Sequence, residues 1–105
     1  LGVGENGHTA SLFPGSQALA EERRWAMHTQ APKGAEPRDR ITLTRPVINA
    51  ARRVLFLVTG GNKAHVVRPL LAGLGDPGWP AALVRCAGST EWHVDEAAAG
   101  IATRT

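Results

Sequence analysis

His8 is the residue of this chain best equipped for chemistry, and it closes a glycine-rich run, Gly2-Val3-Gly4-Glu5-Asn6-Gly7-His8. Imidazole changes charge near neutral pH, so one ring can take a proton from water and later return it. Glycine lets a backbone turn tightly and approach a ligand closely. Two cations further along, Arg40 and Lys63, suit an anionic group on the same small molecule. Arginine pairs with phosphate through parallel N–H groups, whereas lysine acts as a point charge. The combination describes proton transfer at one end of a phosphorylated substrate and an anchor at the other.

These residues need elements to hold them. Leu1 to Val3 reads as a strand entering the loop, and Ser11 to about Leu19 as a helix leaving it. Trp25–Thr29 reads as a short strand, residues 31–39 as a Pro/Gly-punctuated loop, and Arg40–Thr44 as a strand of period two. Thr44 and Pro46 mark a helix start, with the helix running to Arg52 or Arg53. Val54–Thr59, a continuous apolar run before Gly60-Gly61, predicts a central parallel strand covered on both faces. Val66, Val67, Leu70, Leu71 and Leu74 recur at helical spacing from Lys63 to Leu74, with Pro69 shortening or kinking that helix. A turn-rich stretch, Gly73–Pro80, precedes a strand at Ala82–Cys86 and a final helix at Asp95–Ile101. The run Ala102–Thr105 suggests that this last helix is clipped.

Alternating strands and helices imply βαβ units and an open, mostly parallel α/β sheet. Ligands in such sheets bind beyond the carboxyl ends of the strands. His8 follows the first strand. Lys63 follows the strand ending at Thr59, where free helix N–H groups favour anions. Arg40 opens its strand, so it reaches the same end only if that strand is antiparallel.

Composition narrows the partners. The 105 residues suffice for one modest core. Net charge is +3 and the pI about 10.0, yet the basic residues are scattered apart from Arg23-Arg24 and Arg52-Arg53. Those pairs read as solvated helix faces, and no aromatics interleave with them to stack bases, so no nucleic acid partner is expected. No apolar run approaches the roughly 20 residues that cross a bilayer, so no membrane partner is expected either. Cys86 is the single cysteine, which excludes an internal disulfide or a Cys-rich zinc site; it reads as a buried hydrophobe and fits a reducing compartment. His28, His65 and His93 show no ligand spacing, and Trp25, Trp79 and Trp92 read as packing residues.

Gly2, Gly4, Gly7, His8, Thr9, Ala10, Ser11, Leu12, Phe13 and Pro14 agree with the pattern Gly-x-Gly-x-Asp-Gly-His-Thr-Ala-Ser-Leu-Phe-Pro. In this the chain resembles the 6-phosphogluconolactonases. Asn6 stands where that family most often has Asp, an uncharged acceptor for the histidine in place of a carboxylate. Arg40–Thr44, Asn49–Arg52, Phe56–Gly60, Lys63-Ala64, Pro80-Ala81 and the Trp92, Asp95, Ala97-Ala98 tail follow the same pattern in order.

The resemblance implies a Rossmann-like domain of the sugar-phosphate isomerase/lactonase type. That domain is more than twice this length, with residues 1–105 its C-terminal portion. It implies cytoplasmic hydrolysis of 6-phospho-D-glucono-1,5-lactone to 6-phosphogluconate, in the oxidative pentose phosphate pathway, without metal or organic cofactor. His8 is then the general base, Arg40 and Lys63 hold the phosphate, and Gly4, Asn6 and Gly7 meet the substrate, their loop N–H groups stabilising the oxyanion.

Two rivals stand beside this reading. Glucosamine-6-phosphate deaminases carry Gly-His-Ile-Ala-Phe-Asn-Glu-Pro, whose extra carboxylate falls on Phe13, a residue unable to do acid–base work. A sugar-phosphate-binding or regulatory domain would need no His8. The chain on its own is expected to be inactive.

Overall fold

The computed structural model describes residues 1–101, so the expectation for Ala102–Thr105 lies outside the described residues. The fold is α/β, built on two strand pairs. β1 (Ala26–Gln30) and β2 (Asp39–Leu43) form an antiparallel hairpin, with Thr29 opposite Arg40. β3 (Arg53–Val58) and β4 (Ser89–Val94) are parallel, with Arg53 opposite Ser89 and Val58 opposite Val94. A parallel pair needs a long crossover. Here it runs through a 3-10 turn at Gly61–Lys63, helix α2 (Ala64–Leu71) and the stretch that follows. Helix α1 (Arg45–Asn49) links β2 to β3.

The core lies on one face of β3. Val54, Phe56 and Val58 alternate inward, and Val66 and Val67 of α2 are fully buried against the same cluster. Phe56 stacks on Trp92 of β4 with ring centroids 4.2 Å apart and planes 14° from parallel. The opposite face does not match the expectation of a strand covered on both sides. Leu55 and Leu57 point away from the core and are 40% and 69% exposed. Leu1 flanks β3 in place of a full strand: its amino group donates to the Leu55 carbonyl at 2.7 Å, and Leu57 N–H donates to the Leu1 carbonyl at 2.8 Å.

β1, β2 and β3 fall within a residue of where the sequence predicts them. Helix α2 ends two residues after Pro69. Other expectations are overturned. Ser11–Leu19 forms no helix, because Ala10 has φ +49°, Leu12 bonds back to Thr9, and Pro14-Gly15 turns the chain; only Gln17–Ala20 makes a 3-10 turn. Helix α1 ends at Asn49, whose side-chain oxygen accepts the Arg85 N–H and whose carbonyl accepts the Ala87 N–H.

Those two bonds also explain why residues 82–86 are no strand. Their backbone is held by α1, after a 3-10 turn at Pro80–Leu83, and the strand is Ser89–Val94 instead. The expected final helix is a set of turns. Asp95 draws the Ala98 N–H to its own carboxylate at 2.8 Å and the Gly60 N–H at 3.2 Å, and Gly100, at φ +75°, closes the turn. Neither arginine pair lies on a helix, and Trp25 is 75% exposed rather than packed. No described helix is long and apolar enough to cross a membrane.

Candidate functional site

The loop that carries His8 is closed on itself. Gly4 N–H donates to the His8 carbonyl at 2.8 Å and Gly7 N–H to the Gly4 carbonyl at 2.9 Å. Buried Thr9 donates its hydroxyl to the Gly2 carbonyl at 2.7 Å. Gly4 and Gly7 each have their own reason. A Cβ on Gly4 would fall 2.1 Å from the His8 ring, so the imidazole lies directly on that backbone. Gly7 has φ +80°, and a Cβ there would meet Trp79 at 2.3 Å. Its carbonyl accepts the Ala81 N–H at 2.9 Å, so Gly7 faces the 79–81 turn rather than open space. The N–H groups of Gly4 and Gly7, expected to meet substrate, are spent inside the loop. Those of Glu5 and Asn6 have no acceptor among the described residues.

Asn6 fixes the tautomer of His8. Its side-chain oxygen accepts the backbone N–H of His8 at 3.2 Å, and a backbone N–H only donates. The same oxygen lies 2.6 Å from His8 Nδ1, so Nδ1 carries the proton. Nε2 is left with its lone pair. Burial lowers the His8 pKa below its usual value of 6.5, and the positive charges of Lys63 and Arg40 lower it further. The ring is therefore neutral at pH 7.

His8 shares a cleft of about 660 Å³ with Gly4, Asn6, Phe13 and Lys63. Lys63 ends the 3-10 turn before α2 and donates its ammonium to the Val3 carbonyl. Arg40 does not line the cleft itself. β2 is antiparallel to β1, which brings Arg40 to the His8 end of the hairpin. There its guanidinium stands 5.4 Å over the Phe13 ring, its Nε donating to the Pro37 carbonyl at 2.8 Å. Phe13 in turn lies 4.7 Å from the His8 ring. Phe13 is the shared neighbour of the base and the guanidinium. The three sequence-selected groups thus come together, and no described His, Cys, Asp or Glu cluster suits a metal.

Four contributors escaped the sequence reading. Phe13 was visible as part of the motif and as a non-carboxylate, but not as the surface against which His8 rests. Asn62 donates to the Glu5 carboxylate, and His65 Nε2–H donates to the Glu5 carbonyl at 2.9 Å, pinning the loop tip to the start of α2. Lys33 lines the cleft from the hairpin loop. The motif marked Phe13 and the turn signal marked Lys33 in advance; the contacts of Asn62 and His65 with Glu5 join residues far apart in the chain and leave no local pattern.

A profile of glucosamine-6-phosphate isomerases/6-phosphogluconolactonase matches residues 1–92. The 6-phosphogluconolactonases of Bos taurus and Homo sapiens are 46% and 47% identical to it, over 98% of this chain and 40% of their own length. A 6-phosphogluconolactonase structure from Trypanosoma brucei superposes with a TM-score of 0.83 at 36% identity, covering 95% of this chain and 40% of that one. A monomeric glucosamine-6-phosphate deaminase superposes less well, with a TM-score of 0.71 at 26% identity over 94% of this chain and 45% of that one. The chain spans about 40% of the length of the curated relatives it matches.

Proposed function

The chain belongs to the glucosamine-6-phosphate isomerase/6-phosphogluconolactonase family, and we propose that its protein hydrolyses 6-phospho-D-glucono-1,5-lactone to 6-phosphogluconate, with His8 as general base. The observation that carries this reading is the state of His8: neutral, its Nδ1–H held by Asn6, and its free Nε2 lone pair beside two cations. Nε2 takes a proton from water as the water oxygen bonds to the lactone C1. The ring C–O bond of the tetrahedral intermediate then breaks, and the imidazolium returns its proton to the departing ring oxygen. The unspent N–H groups of Glu5 and Asn6 are the donors available to the C1 oxyanion. Gly4 admits the ring, Gly7 seats the loop on Trp79, and Asn6 holds the tautomer. Lys63 and Arg40 anchor the 6-phosphate, binding energy from a remote group that keeps C1 near the base.

On this reading residues 1–105 are the C-terminal portion of one α/β domain, inactive alone, and no metal or organic cofactor takes part. A phosphorylated sugar does not cross a bilayer unaided, so the enzyme works where its substrate is made, which this reading takes to be the cytoplasm, in the oxidative pentose phosphate pathway. Phe13, buried against His8, offers no carboxylate for deamination.

The test is lactone hydrolysis above the spontaneous rate by the full-length protein, beside His8→Ala. Loss of about 10²–10⁴ in kcat is expected from removing a general base. Retained activity in the variant moves the base elsewhere, and a folded, phosphate-binding but inactive wild type overturns the enzyme reading.

A further inference from the structure

We propose that Lys33 is a further phosphate ligand and sets the preference for phosphorylated over unphosphorylated lactone; the inference rests on the lactonase reading above. Lys33 lies in the loop between β1 and β2, in the turn Pro32-Lys33-Gly34-Ala35. Ala35 N–H donates to the Pro32 carbonyl at 3.0 Å, and Gly34 has φ +98°. A bonded four-residue turn with a positive-φ glycine at the third position and none at the second is of type II, a defined shape.

The stem beneath is fastened twice. Ala31 N–H donates to the Arg38 carbonyl at 2.7 Å and Arg38 Nε to the Ala31 carbonyl at 3.3 Å. Arg40 adds its bonds to the Pro37 and Glu36 carbonyls. Lys33 is therefore the tip of a built turn, and that tip forms one wall of the His8 cleft.

Part of the donor capacity of the two recognised cations is already used within the fold. The Lys63 ammonium spends a bond on the Val3 carbonyl, and the Arg40 guanidinium spends two of its N–H groups on its own loop. Lys33 spends none: the ion pairs among the described residues are His28–Asp39, Arg53–Glu91 and His93–Glu91, and no hydrogen bond there uses its ammonium. It is also exposed while lining the cleft. The phosphate lies at the end of the sugar opposite C1. With C1 at His8, the phosphate lies away from the base, and a long flexible ammonium on the cleft wall can close on it. Glu5 is the single carboxylate lining the cleft, and Asn62 engages it. The phosphate end of the cleft is left positive.

The experiment compares the full-length wild type with Lys33→Ala and Lys33→Arg on 6-phosphogluconolactone and on unphosphorylated glucono-1,5-lactone. Inorganic phosphate binding is followed separately by calorimetry. Lys33→Ala should raise KM for the phosphorylated lactone about tenfold, the scale of one charge-assisted contact. It should leave kcat within about twofold and the unphosphorylated lactone unaffected, and Lys33→Arg should restore KM. An unchanged KM, or an equal loss on both lactones, overturns the proposal. Should the wild type hydrolyse neither lactone, the lactonase reading fails by itself. Phosphate affinity then decides for Lys33, a loss in Lys33→Ala supporting the anion site and no change refuting it.

Discussion

The charge state of His8 governs what this loop can do. Its pKa lies below 6.5, through burial first and then through Lys63 and Arg40. The acid limb of the pH–rate profile should accordingly fall below pH 6.5. Inorganic phosphate, by neutralising those cations, should raise the midpoint in an NMR titration of the His8 ring; a midpoint unmoved by phosphate would place the cations elsewhere. The linkage to stability has a fixed sign. A histidine whose folded pKa is depressed gives stability that is full above 6.5 and is lost as pH falls through the folded value. Asn6→Asp puts a carboxylate against Nδ1, so it should raise the His8 pKa and move the acid limb to higher pH. His8, Arg40 and Lys63 were legible as residues because type and spacing announced them. The ring of Phe13 and the bare backbone of Gly4 gain their roles only when the loop folds over them.

Elements were legible where one local pattern sufficed. β3 declared itself through Val54, Phe56 and Val58, and α2 stops just before Gly73, at φ +72°, the glycine that opens the turn-rich stretch. Competition for backbone bonds defeated the rest. Ala82–Cys86 is as apolar as a strand, but Asn49 claims the N–H groups of Arg85 and Ala87, and the polar-looking Ser89–Val94 takes the ladder. Asp95 similarly converts an alanine-rich helix signal into turns. The β3–β4 pair rests on Phe56, 1% exposed and stacked on Trp92. Phe56→Ala should cost about 3–5 kcal/mol in a denaturant melt. A loss below about 1 kcal/mol would mean that the cluster is not the core.

Across the whole molecule, apolar surface remains uncovered. Leu43 and Leu55 share a groove with Leu1 and Val47, and Ile41 and Leu57 lie open at 74% and 69% exposure. Contiguous apolar patches drive association. The 105 residues prepared alone should therefore self-associate in sedimentation, and Leu57→Ser should weaken that association; a monomer at high concentration would refute it.

The glycine loop touches nearly every later part of the fold. Leu1 bonds to β3, Val3 receives Lys63, Glu5 receives His65, Gly7 receives Ala81, and Ser11 N–H donates to the Thr42 hydroxyl. It works as a keystone. The His8 ring is placed by contacts within the chain, so on the reading proposed above no substrate binding energy goes into ordering it. For the same reason it has no independence, and whatever loosens the distant segments around it displaces the imidazole in the same event.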